Sequence, residues 1–217
     1  MADFKTVSLA DQVFEKLEND IIVGVYPRGE ILTELKLVEE LGVSRTPIRE
    51  ALRRLEQERL IRESGKGSVV LGITSEDLID IMEIRQRIEG LAAYYATVKL
   101  TPEGIEKLKH ISELQEFYCE RKDLENLRQM DDQFHDTICE LSQSTVITDT
   151  LIPLRRKTIR YRKLSIENPE RLTSSIQEHK DILNAIIARN ADLASELMSR
   201  HIIHAKDNMI ARFSKHE

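Results

Sequence analysis

The chain of 217 residues is 41% hydrophobic and 32% charged, with 8 glycines, 5 prolines and a formal net charge of −6. That length allows one large domain or two small ones, and the composition favours a packed, mostly helical protein. It argues against a helical membrane protein, because no apolar run approaches the ~20 residues of a span. It also argues against a disulfide framework: Cys119 and Cys139 form no CxxC pair, and reduced thiols are expected.

In chain order, the spacing of Val13, Leu17 and Ile21 predicts a first amphipathic helix over 8–23, stopped by Gly24. Tyr26-Pro27-Arg28-Gly29 reads as a turn. A short helix follows over 34–41, with Leu37, Val38 and Leu41 inward. Gly42 suits the positive φ that ends a helix, Ser44 suits an N-cap, and Pro47 is tolerable in a first turn. Ile48, Ala51, Leu52 and Leu55 then recur at i, i+3, i+4 and i+7, giving a helix over about 45–57 one buried face. Arg45, Thr46 and Arg49 sit at its leading end, off that face, as a helix entering a major groove requires. Two β-prone runs, 60–63 and 68–71, flank a Gly-rich tip and predict a hairpin. Three helices and a hairpin make a winged helix-turn-helix over 1–72.

The composition changes after Leu71. Gly72-Ile73-Thr74-Ser75 reads as a linker, and the remainder, 73–217, contains only helical patterns. Helices are expected over 75–98, 102–121, 124–142, 146–166, 174–189 and 191–213, with Asn168-Pro169 as a break. The fold class is therefore mainly α: a winged helix-turn-helix followed by an all-α bundle. The N-terminus lacks a charged-then-apolar signal segment, so a cytoplasmic chain is expected.

Charge is distributed unevenly. Residues 45–66 hold seven basic residues against four acids, while the rest of the chain is acidic. Any contact with nucleic acid must come from that segment.

In the second half, ionisable residues fall on apolar stripes. Asp131 lies among Leu127, Phe134, Ile138 and Leu141, with His135 four residues on. His179 lies among Ile176, Leu183 and Ile186, and His201 among Leu193, Leu197 and Ala205. An unpaired buried carboxylate is expensive. Asp131, His135, His179 and His201 therefore read as a set that meets, either around a divalent metal or, as single histidines more often do, as satisfied core or surface groups. Zn²⁺ comes first, with Ni²⁺, Mn²⁺ and Fe²⁺ as alternatives that imidazole and carboxylate do not exclude. His204 is the rival of His201, and Cys139 is a small core residue within reach of the site. Arg85 reads either as a cation that binds an effector carboxylate or as an arginine paired with Glu89 at i+4. Arg155, Arg156, Arg160 and Arg162 read mainly as a solvated basic run.

Three stretches now carry a resemblance: Gly24 to Leu32, Leu41 to Glu56 and Gly65 to Val70. They resemble the N-terminal domain of GntR-family transcription regulators. Glu83-x-Arg85-x-x-Ile88-Glu89, Asp131-x-x-Phe134-His135, Glu178-His179 and Arg200-His201-Ile202 resemble the FCD ligand-binding domain of the FadR subfamily. The resemblance implies a homodimer on a palindromic double-stranded DNA operator. It implies Arg45, Thr46 and Arg49 as recognition residues, with Ser44 at the cap and Gly65, Lys66 and Gly67 at a wing reaching the minor groove. It implies Asp131, His135, His179 and His201 as metal ligands and a small organic acid as effector. Leu35 departs from relatives that place a DNA-contacting arginine there, and Gln143-Ser144-Thr145 replaces their Gly-Asn.

The expected function is a ligand-responsive repressor. Alternatives are a sensor whose metal is itself the signal and a metalloenzyme with a DNA-binding tether. No general base or nucleophile accompanies the ligands, so no catalytic residue is assigned and an enzyme is not expected.

Overall fold

A computed structural model of the chain describes residues 7–159, 161 and 168–213. The chain divides into two compact units, Met1–Thr74 and Ser75–Glu217. In the first unit, α1 (Leu9–Val23) starts at a capping box in which Ser8 and Asp11 satisfy each other's backbone amides, and it ends at Gly24 with φ 86°. β1 (Ile31–Leu32) leads into α2 (Glu34–Leu41), capped by the Thr33 hydroxyl. Gly42, at φ 66°, turns the chain into α3 (Arg45–Gln57). β2 (Ile61–Ser64) and β3 (Gly67–Val70) form the expected hairpin.

β1 is an addition to the expected elements. It pairs antiparallel with β3, giving the order β1-β3-β2. Two residues are too short to show a period, so only tertiary pairing reveals the strand. The core of this unit gathers Leu17, Leu32, Leu37, Ile48, Leu55, Leu60 and Val70. The apolar face expected for α3 is the buried one.

The second unit contains α4 (Ser75–Val98), α5 (Pro102–Glu120), α6 (Leu124–Leu141), α7 (Thr145–Lys157), α8 (Pro169–Ile187) and α9 (Ala191–Phe213). α4 packs most extensively against α9, and α5 against α6 and α8. Three details differ from the sequence reading. The helix expected over 146–166 ends at Lys157 with Thr158 as its C-cap; residues 160 and 162–167 lie outside the described residues. Pro169 was read as a breaker, yet it opens α8 behind Asn168, because the first turn needs no amide from it. On α9 the buried stripe is Ala194, Met198, His201, Ile202 and Met209, while Leu193 is 39% exposed. His201 keeps its inward place because it belongs to both registers.

Candidate functional site

The first unit presents a basic helix end. Ser44 is the N-cap of α3 by its backbone but makes no side-chain capping bond. Ser44, Arg45, Thr46 and Arg49 are all exposed, while Pro47 and Ile48 between them are buried. Alternation of buried and exposed positions thus anchors the helix from behind and leaves its leading residues outward. Arg49 donates from Nε to Oε1 of Glu34 at 2.7 Å. Arg54, further along α3, stacks on Phe14 and pairs with Asp11, which ties α3 to α1.

At the wing, Gly65 and Lys66 form the exposed tip. Gly67, at φ 132°, is constrained from inside the fold: a Cβ there would sit 2.7 Å from the carbonyl oxygen of Leu32. β1 can approach β3 only because that position has no side chain.

The second unit holds a small cavity of about 50 Å³, lined by Asp131, His135, His179, His201, Arg85 and Arg171 together with Leu127, Leu172, Ile176, Ile202 and Met209. α6 supplies Asp131 and His135, one turn apart on one face. α8 supplies His179 and α9 supplies His201. One nitrogen from each of the three buried histidines lies within 4.8 Å of the others. Nε2 of His179 and Nε2 of His201 are 3.3 Å apart. That is the spacing of two nitrogens held on about 2.0–2.1 Å bonds at a tetrahedral angle. Oδ1 of Asp131 lies 3.7 Å from Nε2 of His179. Asp131 therefore borders the histidine cluster but is not part of its closest grouping.

Each histidine is oriented from behind. Nδ1 of His135 lies 2.6 Å from Oε2 of Glu89. Nδ1 of His179 meets the side-chain amide of Gln115 at 3.0–3.2 Å. Nδ1 of His201 lies 2.7 Å from Oε2 of Glu178. Phe134 stacks on the His179 ring at 4.3 Å and fixes its plane. With Nδ1 hydrogen-bonded in His179 and His201 and close to a carboxylate in His135, Nε2 is the nitrogen left to bind a ligand. Burial, then the His201 charge, holds the His179 pKa well below its ordinary value, and burial also lowers that of His201. Both rings are therefore neutral near pH 7, the form a metal binds. Burial acts to raise the Glu178 pKa, but hydrogen bonding and charge from His201, with His204 and Arg171, bring it down to about 2. Three imidazoles converging beside a carboxylate fit a divalent cation.

The remaining candidates take other places. His204 is half exposed, and its Nδ1 lies 2.7 Å from Oε1 of Glu178, so it supports the His201 partner and stays outside the cluster. Cys139 is buried, its thiol pushed up to about 12 by burial, and it also stays outside. Arg85 lines the cavity, yet its Nε donates to Glu89 and its Nη1 to Thr158. Both sequence readings of Arg85 meet here: it faces the cavity and it pairs with Glu89, except that the pair is buried. Arg155, read as part of a solvated run, is instead buried and bound to Asp132 and Asp136.

Sequence reasoning missed Gln115 and Arg171, and quoted Glu178 only as the neighbour of His179 in a family motif, without a role. Arg171 is only 9% exposed; its Nη1 lies 2.9 Å from Glu178 and its Nη2 3.4 Å from His201. These residues come from other helices than the rings they serve, so no spacing in the chain announces them.

The pattern described as "Bacterial regulatory proteins, gntR family" matches residues 9–70, and "FCD domain" matches residues 80–204. The chain is 27% identical over 198 residues to the HTH-type transcriptional repressor RspR of Escherichia coli (strain K12), covering 91% of this chain and 87% of that one. It is 31% identical over 183 residues to the gluconate operon transcriptional repressor of Bacillus licheniformis, covering 82% and 75%. Among solved structures, E. coli McbR/YncC superposes with a TM-score of 0.78 at 24% identity, covering 96% of this chain and all of that one; this last likeness shows the fold.

Proposed function

Because this chain belongs to the gntR family of bacterial regulatory proteins and carries an FCD domain, we propose that it represses transcription as a homodimer on a palindromic operator, under the control of a divalent metal and a small organic acid. Its relatives are transcriptional regulators, not enzymes. Arg45, Thr46 and Arg49 read bases in the major groove, with Ser44 and Lys66 on phosphates and Gly65 and Gly67 letting the wing approach the minor groove.

The observation that carries the regulatory part is the cavity in the second unit. His135, His179 and His201, with Asp131, hold the metal, with Zn²⁺ first among the candidates. Bound there, it supplies a Lewis-acidic site for a carboxylate. The chain's own residues do the rest. Glu89, Gln115 and Glu178 fix the ring orientations. Arg171 and Arg85 line the wall, each paired with a glutamate. Leu127, Ile176, Ile202 and Met209 exclude water from the ligand's carbon skeleton. The cavity has room for a few waters beside an ion, space that an effector's carboxylate can take, so an organic ligand is preferred here to a sensor whose metal is the whole signal. Two relatives are named as repressors of gluconate operons, and an acid of that kind presents the carboxylate this wall suits.

The test uses a DNA fragment selected by the full chain. The zinc-loaded wild type is expected to shift it, a panel of metabolic acids to include one that releases it, and His179→Ala to lose both the metal and that release. Arg45→Ala and Arg49→Ala are each expected to lose the shift at the protein concentration that saturates the wild type, while melting like it. A retained specific shift in both arginine variants overturns the interface, and unchanged metal content in His179→Ala overturns the metal centre.

A further inference from the structure

We propose that Glu34 is a positioning residue for operator readout: it takes the Nε–H of Arg49 and so fixes the guanidinium with both Nη groups directed at a guanine edge. This rests on Arg49 being a base-reading residue.

The contact joins the two helices of the helix-turn-helix. Oε1 of Glu34, on α2, accepts from Nε of Arg49, on α3, at 2.7 Å. Both ends are anchored by backbone structure. The Thr33 cap puts Glu34 at the first helical position of α2, where the helix dipole favours a carboxylate. Arg49 follows the fully buried Ile48 by one residue, in the second turn of α3. The two side chains border an open groove between α3 and the wing, together with Arg53, Ser64 and Gly67.

Stability does not explain the pair. The side chains are 36% and 63% exposed, and an exposed ion pair contributes little. α3 is already held by Ile48, Ala51 and Leu55, none of which has any exposure. A carboxylate on this face also repels phosphates, which lowers affinity for any DNA. Orientation is what such a residue adds. Arginine has five N–H donors in a planar fork, and engaging Nε leaves the Nη pair for two parallel bonds to guanine O6 and N7. Holding the long side chain beforehand removes part of the ordering cost of docking.

The experiment selects binding sites from a randomised duplex pool with the full-length wild type, Glu34→Gln, Glu34→Ala and Arg49→Ala, and compares preference base pair by base pair. Glu34→Ala is expected to lose about 5- to 10-fold discrimination at the same base pair that Arg49→Ala affects, a fraction of a full bidentate contact, and to keep the wild-type profile elsewhere. Glu34→Gln, whose amide oxygen still accepts from Nε, is expected to restore most of that preference. A Glu34→Ala profile equal to the wild type overturns the proposal. So does a uniform loss across all base pairs together with a lower melting temperature, which marks a structural role. If Arg49→Ala leaves the profile unchanged, the base-reading role of Arg49 fails first and the proposal falls with it.

Discussion

Gln115 carries no charge and lies behind His179, a ligand of the proposed metal centre, yet it fixes the orientation of that ring. Its amide holds Nδ1 of His179, and it is buried within a helix that supplies none of the cluster's histidines. Glu178 does the same for His201 and Glu89 lies beside Nδ1 of His135, but each also pairs with an arginine that is at most 9% exposed. Removing either glutamate strands that arginine, so its effect mixes ring orientation with charge burial. Gln115 separates the two. Gln115→Met keeps the volume and removes only the hold on His179. Zinc affinity, measured by chelator competition, is expected to fall about 10- to 100-fold, with little change in the melting temperature of the metal-free protein. Undiminished zinc affinity would show that stacking on Phe134 orients the ring unaided.

At the scale of elements, the most extensive helix packing is α4 against α9, and Gly90 makes the approach there possible. A Cβ at position 90 would lie 2.3 Å from Oγ of Ser199 and 3.1 Å from the backbone carbonyl of Ser195. The hydroxyl can rotate away, whereas the carbonyl cannot. Gly90→Ala is therefore expected to destabilise the second unit by about 1–3 kcal/mol, as overpacking does. Ser199→Ala in the same chain should recover only the share due to the hydroxyl. Full recovery, followed by thermal melting, would place the whole clash on Ser199.

The same pair shows what the sequence discloses. The helices of the second unit were legible because their apolar residues recur with a helical period, and His135, His179 and His201 stood out as polar residues on inward stripes. Asp131 was legible in the same way, although it lies at the edge of the cluster. Contacts between elements were not legible. The register of α9 was ambiguous because Leu193 and Ala194 are both apolar, and only packing against α4 chooses between them. β1 has too few residues to show a period. Pro169 was misread because proline both ends and begins helices, and the neighbouring structure decides which.

At the scale of the whole molecule, the proposed homodimer needs a surface on which two copies meet. Along α4, Ile84, Leu91, Tyr95 and Val98 are 43%, 43%, 37% and 57% exposed, with Ile88 between them half-buried. Positions 84, 88, 91, 95 and 98 alternate steps of four and three, the seam a helix presents to a partner helix. The stripe runs about 21 Å along the axis. The opposite face of α4 is occupied by packing within the unit, so this seam is available to a second copy. An isologous pairing of α4 with its copy would give the two-fold symmetry that a palindromic operator requires. Leu91→Glu puts a charge at the middle of the seam at a position already in contact with solvent. The variant is expected to sediment as a monomer, to keep the wild-type helical content and zinc affinity, and to bind the selected operator about 100-fold or more weakly, because one recognition helix loses the effective concentration supplied by its twin. A Leu91→Glu protein that still sediments as a dimer with full operator affinity would move the interface away from this seam and leave its apolar exposure without a role in assembly.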